Sequence, residues 1–299
     1  MNTKKFFIAF SLFVITAFSQ ASFAQGLNWE GQTGALLTPF AYTAASPAHK
    51  FGKPEVAFHY LNSGDVIGND YQFSVTEGFA KRFEIGYTAA LSSSGSSSLS
   101  YLFGDGFNEF HGKVTIVDEN AAKTKWVPAI AVGAIGRTNV FRVGQVVNYW
   151  NGSIDQKRTS SNADFYVVAT KTITQVKGFP FVLSLGEKVT NASVFGVAGN
   201  APNWQGRLFG AAAFVVKGPS KSALIIGSEV VQQPHYIEYL PKAATVPTSL
   251  SYFVRIVPHI EGSPLQVDLG LAQLVGKIVP GAIDLKARAR VGMGISYHF

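Results

Sequence analysis

Apolar and polar residues alternate along about twelve segments of the chain, with the period of two expected for β-strands that have one apolar face. In "RFEIGYTAAL", for example, Phe83, Ile85 and Tyr87 share one face. In the segment at residues 161–175 the alternation does not show which face points inwards, because Asp164 and Lys171 have opposite parity. The predicted strands lie near residues 54–63, 69–79, 81–92, 106–118, 124–137, 161–175, 178–190, 204–216, 220–233, 248–259, 263–275 and 285–299.

The connections between these segments alternate in length. The joints after even-numbered strands are short, at residues 80–82, 118–123, 174–178, 217–221 and 259–263. The joints after odd-numbered strands are mostly long, at residues 93–105, 138–160, 191–203, 234–247 and 276–284, and only residues 64–68 are short. Short turns at one end and long loops at the other are typical of outer-membrane barrels. We therefore predict an all-β fold, a transmembrane antiparallel up-and-down β-barrel of about 12 strands, within a range of about 10–14.

Composition supports a lipid-facing barrel. Only 14% of the residues are charged, against about a quarter in a typical soluble domain, and the chain has 30 glycines and 13% aromatic residues. A soluble β-sandwich, or a barrel that binds an apolar ligand, would also alternate but does not require so little charge. We expect the cell outer membrane as the location and its lipid as a partner. The formal net charge of +7 comes without a basic cluster, so we expect no nucleic-acid partner.

The first residues have the pattern of a secretory signal peptide. Lys4 and Lys5 precede an uncharged apolar run at residues 6–18, which is followed by small residues. We predict a signal peptide over residues 1–24, with cleavage after Ala21 as an alternative. An N-terminal membrane anchor is the other interpretation of the same run.

Residues 25–53 do not have the pattern of a strand, because glycines and prolines interrupt them. Irregular backbone cannot face lipid, since its polar groups would have no partners there. We predict that this segment is a plug inside the barrel or a constriction at its periplasmic mouth, ahead of a barrel over residues 54–299. A flexible leader is the alternative.

Two stretches carry a family resemblance. "GQTGALLTP" at residues 31–39 resembles the opening of the YjbH-like outer-membrane proteins linked to exopolysaccharide production. "FHGKVTIVDENAAKTKWVPAIAVGAIG" at residues 110–136 resembles a strand–turn–strand of those proteins and of uncharacterised outer-membrane barrel families. The resemblance implies a Gram-negative outer-membrane barrel with partners in polysaccharide export. It transfers no functional residue.

The last segment, "VGMGISYHF", alternates regularly and ends on Phe299. A closing strand with aromatic residues at Tyr297 and Phe299 resembles the insertion signal of bacterial outer-membrane barrels. The resemblance implies that these two residues form an assembly signal and that the outer-membrane assembly machinery is a partner.

Motifs of enzymes and metal sites are not found in the sequence. It has no Gly-x-Ser-x-Gly elbow, no His-Glu-x-x-His, no cysteine and no phosphate-binding glycine loop. We therefore predict no catalytic, cofactor-binding or metal-binding residues, no cofactor and no enzymatic activity. The alternative is an outer-membrane hydrolase with a site built across strands.

Charged residues on the strands are expected to line the lumen, since a charge at mid-depth on the lipid face costs about 2–4 kcal/mol. Charged rings in a water-filled lumen select ions. We predict a channel or porin-like protein for a small, anionic solute. The alternatives are charges that pair across a filled lumen, and a non-conducting barrel that supports envelope polysaccharide export or surface assembly. The lumen-lining candidates are Arg82, Glu84, Glu109, His111, Lys113, Arg255, Asp268, Lys286, Arg288 and Arg290.

Overall fold

The computed structural model describes residues 26–93, 95–96, 106–138, 161–174, 180–236, 244–259, 264–275, 283–284 and 287–299. Within these residues, twelve antiparallel strands form a closed barrel. They are β1 (Glu55–Asn62), β2 (Asn69–Phe79), β3 (Phe83–Ser93), β4 (Phe107–Val117), β5 (Ala129–Thr138), β6 (Asn162–Ile173), β7 (Phe181–Ala192), β8 (Asn200–Lys217), β9 (Ala223–Val231), β11 (Thr248–Val257), β12 (Leu265–Val275) and β14 (Ala287–His298). Two short strands outside the barrel, β10 (Ala244–Thr245) and β13 (Ile283–Asp284), pair with each other in parallel.

Helical structure is limited to short pieces. The single-turn helix α1 (Gly64–Ile67) connects β1 to β2, and the turns at Ala121–Lys123 and Pro219–Lys221 are 3₁₀-helical. Nowhere in the described ranges does a helix have the length and apolar character needed to cross a membrane.

The barrel closes between its first and last strands. Strand β14 pairs with β1 from Glu55 opposite His298 to Leu61 opposite Gly292, and it pairs with β12 on its other edge. Because the barrel is closed, the backbone groups on both edges of β14 have hydrogen-bond partners within the sheet. A barrel in lipid requires such partners. The prediction of a closed antiparallel barrel of about 12 strands is confirmed.

Most predicted strand ends lie within about three residues of the observed ends, but β5 begins at Ala129 rather than at the predicted residue 124. Strand β2 coincides with the predicted 69–79, whereas β8 begins at Asn200, ahead of the predicted residue 204. The chain reverses between β2 and β3 with Ala80 and Lys81 at φ of 53° and 59°, a left-handed conformation suited to tight hairpins. We call the end of the barrel with this turn the turn side and the opposite end the loop side.

The two faces of the barrel differ in chemistry. On β7, Leu185 is 67% exposed on the outside, whereas Ser184 and Lys188 are buried inside. An apolar outer face with polar residues inside is the pattern of a barrel in lipid. Exposed large apolar residues on the strands include Phe73, Val75, Ile85, Leu91, Phe110, Val132, Phe165, Val167, Leu183, Phe214, Ile226, Tyr252, Leu269, Met293, Ile295 and Tyr297.

The ambiguous segment is resolved in β6. Asp164 is buried on the inner face of the barrel. Lys171 has the opposite parity but lies near the turn side, where its Nζ is 3.0 Å from a carboxylate oxygen of Glu119 in the β4–β5 turn. A lysine at the end of a strand can reach a polar partner at the rim, so its parity does not indicate the strand's facing.

Candidate functional site: the occupied lumen

Residues 26–44, which we call the plug, fold as an irregular loop inside the barrel. Isolated bridges join Leu27 to Thr33 and Gly34 to Pro39, and most of the plug is buried. Gly26 lies against the side chain of Arg255, and Ala44 donates to Glu84, both near the turn side. The plug therefore enters and leaves the lumen at the turn side. We call Trp29, Glu30 and Leu37, which reach towards the loop side, the plug tip.

Two carboxylates of the wall accept hydrogen bonds from the plug backbone. Glu84 accepts from the amide of Thr33 at 3.1 Å, the hydroxyl of Thr33 at 2.5 Å and the amide of Ala44 at 2.7 Å. Glu229 accepts from the amides of Leu37 at 3.0 Å and Thr38 at 2.7 Å. An irregular segment leaves backbone donors without strand partners, and a charged acceptor makes the stronger kind of hydrogen bond to them.

Basic residues of the wall bind plug carbonyls. The Arg255 guanidinium donates to the carbonyls of Gly34 at 2.8 Å and Ala35 at 3.0 Å. The same guanidinium binds both carboxylate oxygens of Asp268, at 2.7 and 2.9 Å. Lys113 donates to the Thr33 carbonyl at 3.0 Å, so both signs of wall charge hold the plug.

Wall hydroxyls and one glycine fit the plug closely to the barrel. Thr76 donates to the carbonyl of Gly31 at 2.5 Å, and Thr115 donates to the carbonyl of Ala41 at 2.7 Å. Gly31 has a φ of +81°, and a Cβ there would lie 2.9 Å from the Cβ of Ser74. Both the left-handed backbone and the close approach require glycine at this position.

A cluster of charges binds the plug tip on the loop side. Arg137 is buried and pairs with Glu30 of the plug, with Asp164 at 3.1 Å and with Glu109 at 3.3 Å. Lys188 lies 3.1 Å from Asp164. Removing one member of a buried ion pair typically costs about 3–5 kcal/mol, because the remaining charge loses its partner.

Apolar contacts hold the other side of the plug. Leu36, Leu37 and Phe40 are buried in one cluster with inward residues of the wall, which include Tyr166 and Phe209. Burying a side chain of this size contributes about 1.5–3 kcal/mol relative to exposure. The plug is therefore anchored by apolar packing as well as by hydrogen bonds.

Tyr42 attaches the exit of the plug to a turn. Its hydroxyl donates to Glu119 at 2.8 Å and lies 2.8 Å from the hydroxyl of Thr172. Glu119 also accepts from the Thr172 amide at 2.8 Å, which fixes the carboxylate. Burial raises the pKa of Tyr42 above its ordinary value, and the nearby Glu119 charge raises that pKa further. The phenol therefore stays protonated and remains a donor at neutral pH.

Cavities lie on both sides of the plug. On the turn side, a cavity of about 480 Å³ is lined by the plug exit at Tyr42 and Ala44 and by Lys81 and Asp118 of the turns. On the loop side, a cavity of about 80 Å³ lies between the plug tip at Trp29 and the ends of the strands. The plug separates the two.

The predicted lumen residues fall into two groups in the structure. Those buried on the inner wall are Glu84, Glu109, His111, Lys113, Arg255 and Asp268. Arg290 is half-buried at the loop side, Arg288 is exposed, and Lys286 lies outside the described residues. Arg82 lies at the turn-side rim and pairs with Asp118 at 2.5 Å, because β3 begins one residue later. Its assignment to the lumen wall is therefore corrected.

Arg137 is a lumen residue that is not among the predicted candidates. On β5 both faces are apolar, with Ala131 and Ile135 inside and Val132 outside, so alternation cannot assign Arg137 to the lumen. The signals that could have found it are its charge, which the lipid face excludes, and its parity with Ala131.

The buried wall is also more acidic than the predicted set suggests. Its buried carboxyl residues are Glu55, Asp70, Glu84, Glu109, Asp164, Glu229 and Asp268, against the buried bases Lys113, Arg137, Lys188 and Arg255. The less buried Arg207, Arg288 and Arg290 lie towards the loop side, whereas Lys81 lines the turn-side cavity.

No protein family model matches the sequence, and a comparison with curated proteins finds no match. These comparisons give no support for membership of the YjbH-like family.

Several solved structures align with most of the chain at low similarity. LpxR from Salmonella typhimurium aligns with a TM-score of 0.49 at 12% identity, over 82% of this chain and 100% of that one. The COG4313 outer membrane channel from Pseudomonas putida F1 aligns with a TM-score of 0.45 at 9% identity, over 88% and 100%. The KdgM porin in complex with disordered oligogalacturonate aligns with a TM-score of 0.45 at 9% identity, over 82% and 99%. At such values the fold assignment rests on the strand pairing of this chain itself.

Proposed function

We propose that this protein is a β-barrel of the cell outer membrane that acts as a channel for a small, anionic solute and is held closed by its plug. The apolar outer face supports the membrane location, and residues 1–24 would be the signal peptide that directs export. The observation that carries the channel function is the position of the plug between two cavities at opposite ends of one lumen.

The charged wall supports a lumen that opens. Replacing buried ion pairs by apolar residues is often neutral or stabilising, so a permanently filled lumen does not need them. Glu84, Glu229 and Arg255 hold the plug through its backbone, and water can take over such hydrogen bonds when the plug leaves. A wall of this kind suits a lumen that alternates between filled and hydrated states.

The basic residues at the loop side would supply the anion preference. Arg207, Arg288 and Arg290 lie towards the loop side, where a solute arriving from outside would meet them first. Basic residues at a pore entrance favour anions, whereas the carboxylates deeper in the wall are engaged by the plug and by neighbouring bases.

Conductance across a planar bilayer tests the proposal. We expect the purified full-length barrel to be mostly closed and a variant lacking residues 26–44 to carry steady current. Arg288→Glu combined with Arg290→Glu should shift the selectivity of that current towards cations, and Arg82→Glu at the opposite rim serves as the matched control. A deletion variant that folds, as judged by heat-dependent gel mobility, but carries no current would refute the channel.

A non-conducting barrel that supports envelope polysaccharide export or surface assembly is the second candidate. The apolar burial of Leu36, Leu37 and Phe40 against the wall favours it, because opening the lumen would expose these side chains. The resemblance to YjbH-like proteins belongs to this candidate. This second candidate predicts that surface polysaccharide decreases when the protein is absent. A variant with the plug cross-linked to the wall should then restore the polysaccharide level.

Two further roles are open to direct tests. Tyr297 and Phe299 are exposed, with ring centroids 5.1 Å apart, and we propose that the outer-membrane assembly machinery contacts them. Replacing both by serine should lower the yield of membrane-inserted barrel.

The alternative of an outer-membrane hydrolase has its own test. A hydrolase would release products from lipid in the presence of the pure protein.

A further inference from the structure

The loop-side cavity has a composition different from the rest of the lumen. Its floor is the plug tip at Trp29 and Leu37, and its walls include Leu61, Phe195 and Leu274. Small-molecule sites are mostly apolar and contain a few polar groups that fix the orientation of the ligand. Here the charged groups are Asp70 and Arg290.

The two charged groups differ in their partners. The carboxylate of Asp70 accepts hydrogen bonds from Ser63 at 2.5 Å and from Ser92 at 2.7 Å. Arg290 has no hydrogen bond or ion pair with any residue in the described part of the chain, and its guanidinium lies beside Gly64. The buried arginines Arg137 and Arg255, in contrast, both bind carboxylates.

An arginine with no partner among the described residues, beside an apolar cavity, is suited to an organic anion. Its planar guanidinium binds a carboxylate through two parallel hydrogen bonds, and the apolar walls remove the rest of the ligand from water. The volume of about 80 Å³ has room for about half a dozen water-sized groups, since one buried water needs about 10–15 Å³. This volume suits one small ring or a short branched chain.

We propose that the loop-side cavity binds a small apolar carboxylate, with the carboxylate on Arg290 and the apolar body against Trp29, Phe195 and Leu274. The inference rests on the proposed channel function in naming the class of solute that enters from the loop side. Because Trp29 belongs to the plug, a bound solute contacts the element that closes the lumen.

Isothermal titration calorimetry of the folded, full-length barrel in detergent with sodium benzoate tests the proposal. We expect one saturable site, with binding weakened about tenfold or more by Arg290→Gln, because a charge-assisted bidentate contact is lost. Benzyl alcohol, which keeps the ring but has no charge, should bind correspondingly less tightly. Arg82→Gln removes an arginine at the opposite rim and should leave benzoate binding unchanged.

A second variant tests the cavity independently of the charge. Leu274→Trp fills the space while leaving Arg290 in place, so we expect benzoate binding to be lost. The proposal is overturned if the unmodified barrel shows no saturable binding of benzoate, if Arg290→Gln binds it equally well, or if benzyl alcohol binds as tightly.

The binding and channel proposals can fail separately. Benzoate binding by a barrel whose plug-deleted variant carries no current would uphold this site and refute the channel. Current through the deletion variant, with no benzoate binding by the full chain, would support the channel and refute this site.

Discussion

Phe40→Ala should release the plug while leaving the barrel folded. The Phe40 side chain is 5% exposed and packs in the apolar cluster shared by plug and wall. Truncation of a buried phenylalanine to alanine typically costs about 3–5 kcal/mol. The strand ladders do not depend on this side chain, so we expect the loss to fall on the equilibrium between a docked and an undocked plug.

Hydrogen–deuterium exchange measures that equilibrium. If residues 26–44 open as one unit, a loss of about 3–5 kcal/mol raises their exchange rates by about two to four orders of magnitude. Exchange in the strands should not change.

The matched control is Phe110→Ala, a lipid-facing side chain that is 54% exposed and should leave plug exchange unaltered. Unchanged plug exchange in Phe40→Ala, or an equal increase in plug and strands, would show that plug and barrel do not undock in this way.

Three further outcomes follow from the contacts. Arg255→Met leaves the Asp268 carboxylate buried without its partner, so unfolding should require less denaturant. Adding Asp268→Leu should restore part of the lost stability, and a double variant no more stable than Arg255→Met would contradict this. The raised pKa of Tyr42 keeps its phenol protonated, so amide protection factors around residues 42–46, which are corrected for the intrinsic pH dependence of exchange, should not fall between about pH 7 and pH 10; Tyr42→Phe should lower them throughout this range. Leu185→Arg puts a charge on the lipid face and should destabilise the barrel in liposomes by about 2–4 kcal/mol, whereas Trp126→Arg in an exposed turn should have little effect.

The strands were predictable because their two faces meet different surroundings. On β2, β4 and β14 the outer face contacts an apolar surrounding and the inner face carries polar or small groups, so alternation predicts both existence and facing. Alternation does not place Arg137, because the inner face of β5 is also apolar where it packs against the plug. Arg82 was predicted on the lumen wall, but it lies one residue before the start of β3, where its side chain reaches the rim.

The site was predictable only in kind. Charges belong inside because lipid excludes them, which located Glu84, Arg255 and Asp268 on the wall. Their partners were not predictable, since Glu84 contacts Thr33 and Arg255 contacts Gly34 across large sequence separations. No periodicity in residues 25–53 indicates which wall residue each backbone group meets.

The sequence by itself determined the barrel, because period-two alternation and turn length are local properties that lipid imposes on each strand separately. Only the tertiary structure decided what occupies the lumen. The plug has no repeating hydrogen-bond pattern, so its path depends on where the closed wall places donors, acceptors and apolar side chains around it. The same closure places Arg290 beside an apolar cavity, a feature that exists only once strands far apart in the chain meet.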